Sequence, residues 1–206
     1  MRPPRHDPAH RKQETHARIV TAAARAVRAK GYAGVGVADI MKDVGLTHGG
    51  FYAHFDSRAA LLAEAADRAG AEGVEGLSRV AASAAPDKAL MALIDAYLSR
   101  QHLEAPDSGC PIAATGTEVA RQEPAVRKAA TRRTKELVGL IERQMPDWGK
   151  AGNHEHALAI LSCLVGSMVI ARASDDERFS KAVRVASREF LRQALEDAQS
   201  SPGGGR

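Results

Sequence analysis

The chain has 206 residues and a formal net charge of +4, enough length to bury a real core as one large domain or a small domain joined to a larger one. Its two cysteines, Cys110 and Cys163, have no second pair, which argues against a disulfide framework and a cysteine-based metal site. No stretch reaches about eighteen consecutive apolar residues and no apolar run follows the charged N-terminus, so neither a membrane span nor a secretory signal is expected and the location should be cytoplasmic.

Alanine is abundant and apolar residues recur every three or four positions over long windows, which predicts an all-α protein. Residues 1–60 carry ten Lys or Arg against five Asp or Glu, whereas residues 61–206 carry nineteen against twenty. The basic character therefore belongs to the N-terminal part, and it suits a polyanionic partner. A solvated basic tail would leave the same imbalance.

In chain order, residues 1–9 hold Pro3, Pro4 and Pro8 and are expected to form a disordered basic arm. A first helix is predicted from His10 or Arg11 to Lys30. Ile19, Val20, Ala23, Ala26 and Val27 form its apolar face, while Arg11, Lys12, Arg18, Arg25, Arg28 and Lys30 dominate its surface. Tyr32 is expected to close over a small core.

Residues 37–55, VADIMKDVGLTHGGFYAHF, read as two short helices broken at Val44-Gly45-Leu46. Gly45 can take the left-handed conformation that ends the first, and the Thr47 hydroxyl can cap the second. That is a helix-turn-helix. Ile40, Val44, Leu46, Phe51 and Phe55 would form its core, leaving Thr47, His48, Gly50, Tyr52 and His54 to face outward.

Ser57 should cap a fourth helix from Arg58 to about Val80, which Gly70, Gly73 and Gly76 could bend or break. A helix from about Asp87 to Leu103 follows, then an irregular stretch over residues 104–118 and a short helix ending near Ala120. The next spans about Pro124 to Met145, with Pro124 at its first position. Its basic run, Arg127, Lys128, Arg132, Arg133 and Lys135, reads as a solvated face or a second DNA-contacting one. After a loop that holds Trp148, a helix capped by Asn153 should run to about Ala173, apolar on several sides. Ser174 to Glu177 has the form of a capping box opening a last helix to about Ala198. The tail, residues 199–206, is expected to be disordered.

The residues Gly31-Tyr32, Val37, Ile40, Gly45-Leu46-Thr47, Gly49 to Arg58 and Leu61-Leu62 resemble the N-terminal domain of TetR-family transcriptional regulators. The resemblance is close over residues 12–62. It implies about nine helices: a three-helix helix-turn-helix domain over residues 10–57 and a larger effector-binding and dimerisation domain over residues 58–198. It also implies a homodimer through the helices at about 154–173 and 176–198, a palindromic operator in double-stranded DNA, and release of that operator by a small molecule.

Carried over residue by residue, Thr47, His48, Tyr52 and His54 fall where family members touch phosphate or base edges, and Arg58 falls at a basic position that approaches the backbone. Thr47 and Tyr52 hydroxyls can donate to phosphate, Arg58 adds a charge-assisted bond, and His48 is the first candidate for a base edge. Gly49 and Gly50 allow close backbone approach to DNA, or else avoid a clash within the protein. For the effector pocket the candidates are Tyr97, His102, Cys110, Met145, Trp148 and Met168. Cys110, held between Gly109 and Pro111, is also a candidate thiol for electrophiles or oxidants. His154 and His156 are two apart and share no helical face, so no metal is expected there, and no cofactor or enzyme motif is found. The function expected is a transcriptional repressor; the alternative is a small helical ligand-binding protein or enzyme that uses the C-terminal cavity.

Overall fold

Apolar side chains at helical spacing turn inward in two groups, and those groups define the architecture. The computed structural model describes residues 8–146 and 148–200. Among the described residues there are nine α-helices, three short 3-10 helices and no strand.

The first core joins α1 (Pro8–Lys30), α2 (Val37–Asp43), a 3-10 helix over His48–Ala53 and the start of α3 (Arg58–Ser83). Ile19, Ala23, Val27, Tyr32, Ile40, Met41, Phe51, Phe55 and Leu61 are buried in it, with Val44 and Leu46 packed at its edge. Helix α1 begins at Pro8 and so takes in the last two residues expected in the arm; residues 1–7 lie outside the described residues. It ends where Gly31 turns to φ +73°.

One basic residue departs from the surface face expected for α1. Arg28 is only 3% exposed. Its guanidinium donates to the Ala69 and Asp107 carbonyl oxygens and to the Glu72 carboxylate, so every edge of the fork has a partner.

Helix α3 runs unbroken through Gly70, Gly73 and Gly76. A Cβ at Gly70 would lie 2.4 Å from the Arg133 Cβ on α7 (Pro124–Arg143), so glycine here lets two helices approach closely. Asp67 holds them together by accepting two bonds from Arg133 and one from Arg132. Those bonds keep the Asp67 carboxyl below its usual range, although burial alone would raise it. The basic run of α7 is thus partly spent on internal ion pairs.

The second core gathers α4 (Ala89–Tyr97), α5 (Arg100–Glu104), α6 (Pro111–Val119), α7, α8 (Asn153–Ala173) and α9 (Glu177–Ser200). The helix expected over residues 87–103 is in fact two. Leu98 ends α4, and the Ser99 hydroxyl caps α5 by accepting the His102 amide at 3.1 Å. Arg184 of α9 donates to the Leu98 carbonyl at the break, and Arg172 of α8 donates to those of His102 and Leu103 at the end of α5.

Two caps differ from expectation. Gly152, at φ +90°, takes the cap position of α8 in place of Asn153, which becomes the first helical residue. At α9 the cap is Asp176, whose carboxylate accepts the Arg178 and Phe179 amides, while Ser174 accepts the amide of Asp176. A carboxylate next to two free amides outcompetes the more distant hydroxyl. Helix α9 also extends past Ala198 to take in Gln199 and Ser200, the first two residues expected in the tail; residues 201–206 lie outside the described residues.

Helix α8 is long and apolar enough to cross a membrane. Ala157, Ile160, Leu161, Leu164 and Met168 instead pack into the second core. Its other side leaves Leu158, Val169 and Ile170 exposed, and α9 leaves Phe179, Val185 and Phe190 exposed.

Candidate nucleic-acid interface and effector cavity

The outward element after α2 begins at a helix stop of defined chemistry. Gly45 adopts φ +76°. Its amide bonds to the Lys42 carbonyl at 3.0 Å and the Leu46 amide to the Met41 carbonyl at 2.8 Å, the paired bonds of a Schellman stop. Arg18 of α1 donates to the Val44 carbonyl at 2.8 Å and ties the turn to the first helix.

The second element is a 3-10 helix, tighter than the α-helix expected. Adjacent Gly49 and Gly50 each disfavour an α-helix by about 1 kcal/mol relative to Ala, and short runs then close with i to i+3 bonds. Thr47 occupies the cap position, but its side chain makes no cap bond. The hydroxyl therefore remains at the exposed entrance of the element.

Thr47, His48, Gly49 and Tyr52 are exposed together on this element, and Gly50 is half-buried. Tyr52 is 68% exposed although it is a large aromatic residue. His48 and Tyr52 meet edge to face, with ring centroids 6.4 Å apart. A Cβ at Gly49 would meet nothing within 4 Å, and one at Gly50 only ordinary contacts with Met41 and Thr47. Neither glycine avoids a clash within the protein.

His54 and Arg58 are placed differently from the rest. His54 is half-buried against α1, near His16, and its Nδ1 is buried without a partner among the described residues. Burial first, and then the charges of His16 and Lys12, hold its pKa below the ordinary value. Arg58 donates to the Tyr32 carbonyl at 2.5 Å and to that of Val35 at 3.1 Å. Its fork pins the loop between α1 and α2 to the start of α3.

The second site is a cavity of about 340 Å³ lined by residues of α3, α4, α5, α6 and α7. Val74, Leu77, Val80, Ile112, Val119 and Leu137 are apolar lining residues, and Tyr32, Tyr97, His102, Cys110 and Thr115 line it as well. His102 is held at both ring nitrogens. Its Nδ1 meets the Tyr97 carbonyl at 2.6 Å and its Nε2 accepts the Cys110 amide at 3.0 Å. The Nδ1–H tautomer is therefore required, and the ring is neutral. Cys110 is buried and unpaired.

Helix α6 joins the cavity to the loop between α1 and α2. Cys110, Pro111, Ile112 and Thr115 at its start line the cavity. Near its end the Glu118 carboxylate accepts the Tyr32 amide at 2.8 Å. Tyr32 itself lines the cavity and lies in the first core, its hydroxyl against Thr115, and burial pushes its phenol up to about 12.

Comparison with known proteins decides what this pairing is. Residues 19–65 match the family described as bacterial regulatory proteins, tetR family. Residues 86–187 match the tetracyclin repressor-like C-terminal domain. An uncharacterised helix-turn-helix transcriptional regulator of Mycobacterium tuberculosis, found in strains H37Rv and CDC 1551, is 33% identical over 170 residues, 77% of this chain and 84% of the relative.

The chain belongs to the TetR family. It is a DNA-binding transcriptional regulator.

Solved structures agree with the fold. A TetR regulator from Chloroflexus aurantiacus superimposes with a TM-score of 0.72 at 25% identity, covering 89% of this chain and 96% of that one. The reduced form of E. coli NemR gives 0.75 at 15% identity, covering 87% and 96%, and supports the fold alone.

In this TetR-family chain three of the six pocket candidates, Tyr97, His102 and Cys110, line the cavity. The other three lie elsewhere. Met168 is fully buried in the second core, Met145 packs at that core's edge, and Trp148 is 65% exposed on a loop. Helical spacing marks a side chain as inward without saying whether it meets a neighbour or a void. Tyr32, Thr115 and Arg133 were not foreseen as lining residues, nor was Glu118 as the link. The one available signal was Gly31 beside Tyr32, where a missing Cβ admits a group from another helix. Among the described residues no group of three or more His, Cys, Asp or Glu could hold a metal ion.

Proposed function

We propose that this regulator is a cytoplasmic repressor, without enzymatic activity, that binds a palindromic operator as a homodimer and releases it when a small molecule enters the cavity. The observation that carries this reading is α6, which lines the cavity at one end and holds the Tyr32 amide through Glu118 at the other. An occupant that shifts α6 acts on the loop that Arg58 also grips, and so on the placement of the 3-10 helix.

In this reading Thr47 and Tyr52 bond phosphate, His48 reads a base edge, and Gly49 and Gly50 bring backbone against the duplex. Arg58 and His54 serve mainly to position the element. The exposed apolar face of α8 and α9, centred on Ile170 and Phe190, suits pairing with a second copy as a four-helix bundle. Light scattering and DNA-binding anisotropy on the parent and on Ile170→Glu/Phe190→Glu test it. A parent dimer and a monomeric variant that has lost operator binding are expected. A parent monomer with full affinity would overturn the dimeric reading.

A further inference from the structure

Three side chains that line the cavity can carry a charge near neutral pH, Glu72, Arg133 and His102, and each is answered from within the protein. The Glu72 carboxylate accepts from Arg28 at 2.8 Å and from Arg68 at 2.7 Å. All three nitrogens of the Arg133 guanidinium donate to carboxylates, two to Asp67 and one to Glu136, each at 2.7 Å. His102 uses both ring nitrogens, on the Tyr97 carbonyl and the Cys110 amide, and is neutral.

Lining hydroxyls are turned to the backbone as well. Thr115 donates to the Pro111 carbonyl and Thr134 to that of Ala130, both at 2.9 Å, and Ser108 donates to that of Ala105 at 3.3 Å. An ion moved into such a space gives up its water and meets no opposite charge that is not already paired. An uncharged apolar body gains from leaving water and gives up little.

Shape points the same way. Gly73 and Gly76 of α3 both line the cavity. A Cβ at Gly76 would meet nothing within 4 Å, and one at Gly73 would meet only Pro111 Cδ at 3.7 Å and Cys110 Cα at 3.9 Å. Helix α3 therefore leaves space beside its backbone where side chains would otherwise stand, although glycine weakens a helix. Leu77, Ile112 and Leu137 also line the cavity, and its exposed lining residues, Gln101 and Ser108, are uncharged.

We propose that the cavity takes an uncharged, largely apolar molecule, held against the bare α3 backbone at Gly73 and Gly76 and against Leu77, Ile112 and Leu137. The assignment rests on the reading of the cavity as an effector site and names the chemical class of its occupant.

The test is calorimetric titration of the full chain at neutral pH with decanol, methyl decanoate, decanoate and decylamine, probes that share a hydrocarbon tail and differ in the head. Decanol and methyl decanoate should bind at least about tenfold more tightly than decanoate or decylamine, because only the ions surrender the solvation of a charge. Gly76→Leu places its Cβ in open space on the cavity wall. It should weaken decanol binding by at least about tenfold while the melting temperature holds or rises. Gly73→Leu is a second blocking variant, and melting curves identify either one that fails to fold.

Binding of decanoate or decylamine as tight as that of decanol would overturn the uncharged assignment and leave the effector cavity standing. Decanol binding unchanged in the folded blocking variants would also overturn it, because the ligand would then lie elsewhere. Binding of none of the four would overturn the assignment and count against the cavity as an effector site.

Discussion

Glu118 accepts the amide of Tyr32 at 2.8 Å, in space that exists because Gly31 has no side chain. A Cβ on Gly31 would lie 2.3 Å from a Glu118 carboxylate oxygen, and its φ of +73° already disfavours any other residue. Gly31→Ala should cost about 1–2 kcal/mol for the left-handed backbone and more for the displaced carboxylate. The two parts separate in a double-mutant cycle by urea unfolding. Gly31→Ala should cost less in a Glu118→Ala background, and strict additivity would mean that the two residues do not meet.

Glycines in α3 should split by what stands opposite them. Gly76 faces open space, so Gly76→Ala should stabilise by about 0.5–1 kcal/mol through helix propensity alone. Gly70 faces the Arg133 side chain at 2.4 Å, and Gly70→Ala should destabilise by about 1–3 kcal/mol despite the same propensity gain. Thermal melts of the two variants against the parent give the signs. Matching signs would contradict the close approach of α3 and α7.

Gly49→Ala tests the exposed 3-10 helix. The new methyl meets nothing in the protein, so the melting temperature should hold or rise slightly. Operator affinity should nonetheless fall, by about tenfold if the methyl keeps the backbone off the duplex. Anisotropy with a labelled operator measures it, and unchanged affinity would place the DNA elsewhere.

His102 should resist protonation. Burial lowers its pKa from 6.5, the bond to the Tyr97 carbonyl opposes that, and the Arg172 charge adds to it. Folded His102 thus binds a proton less readily than unfolded His102. Its contribution to stability is full above 6.5 and is lost as pH falls below that value. Nitrogen-15 NMR at about pH 6 should find the ring neutral and protonated at Nδ1, while urea unfolding gives a stability that decreases on acidification. A doubly protonated His102 at that pH would contradict the assigned hydrogen bonds.

How far these features can be read from sequence depends on their range. Gly45 was legible because a left-handed stop is local chemistry, and Ser57 because an N-cap needs only the next turn. Ile40, Phe51 and Phe55 were legible because spacing alone points them inward. The break after Leu98 was not, since the Leu98 carbonyl is met by Arg184 from a helix 86 residues along the chain. Arg28 read as a surface charge because its partners Glu72 and Asp107 lie 44 and 79 residues away. The residues proposed to face DNA sit on one short segment, where Thr47, His48, Gly49 and Tyr52 are exposed together. The cavity is assembled from five helices, and only Tyr97, His102 and Cys110 of its walls were named in advance.

The exposed 3-10 helix, carried by a paired chain, is proposed to read DNA sequence. Selection of bound duplexes from a random pool by the purified protein, with salt dependence followed on the winner, is the deciding measurement. An inverted repeat is predicted, with affinity that falls when either half-site is changed. Recovery of no preferred sequence, with binding that is only steeply salt-sensitive, would mean that the basic N-terminal part acts as a non-specific electrostatic surface and would contradict the account.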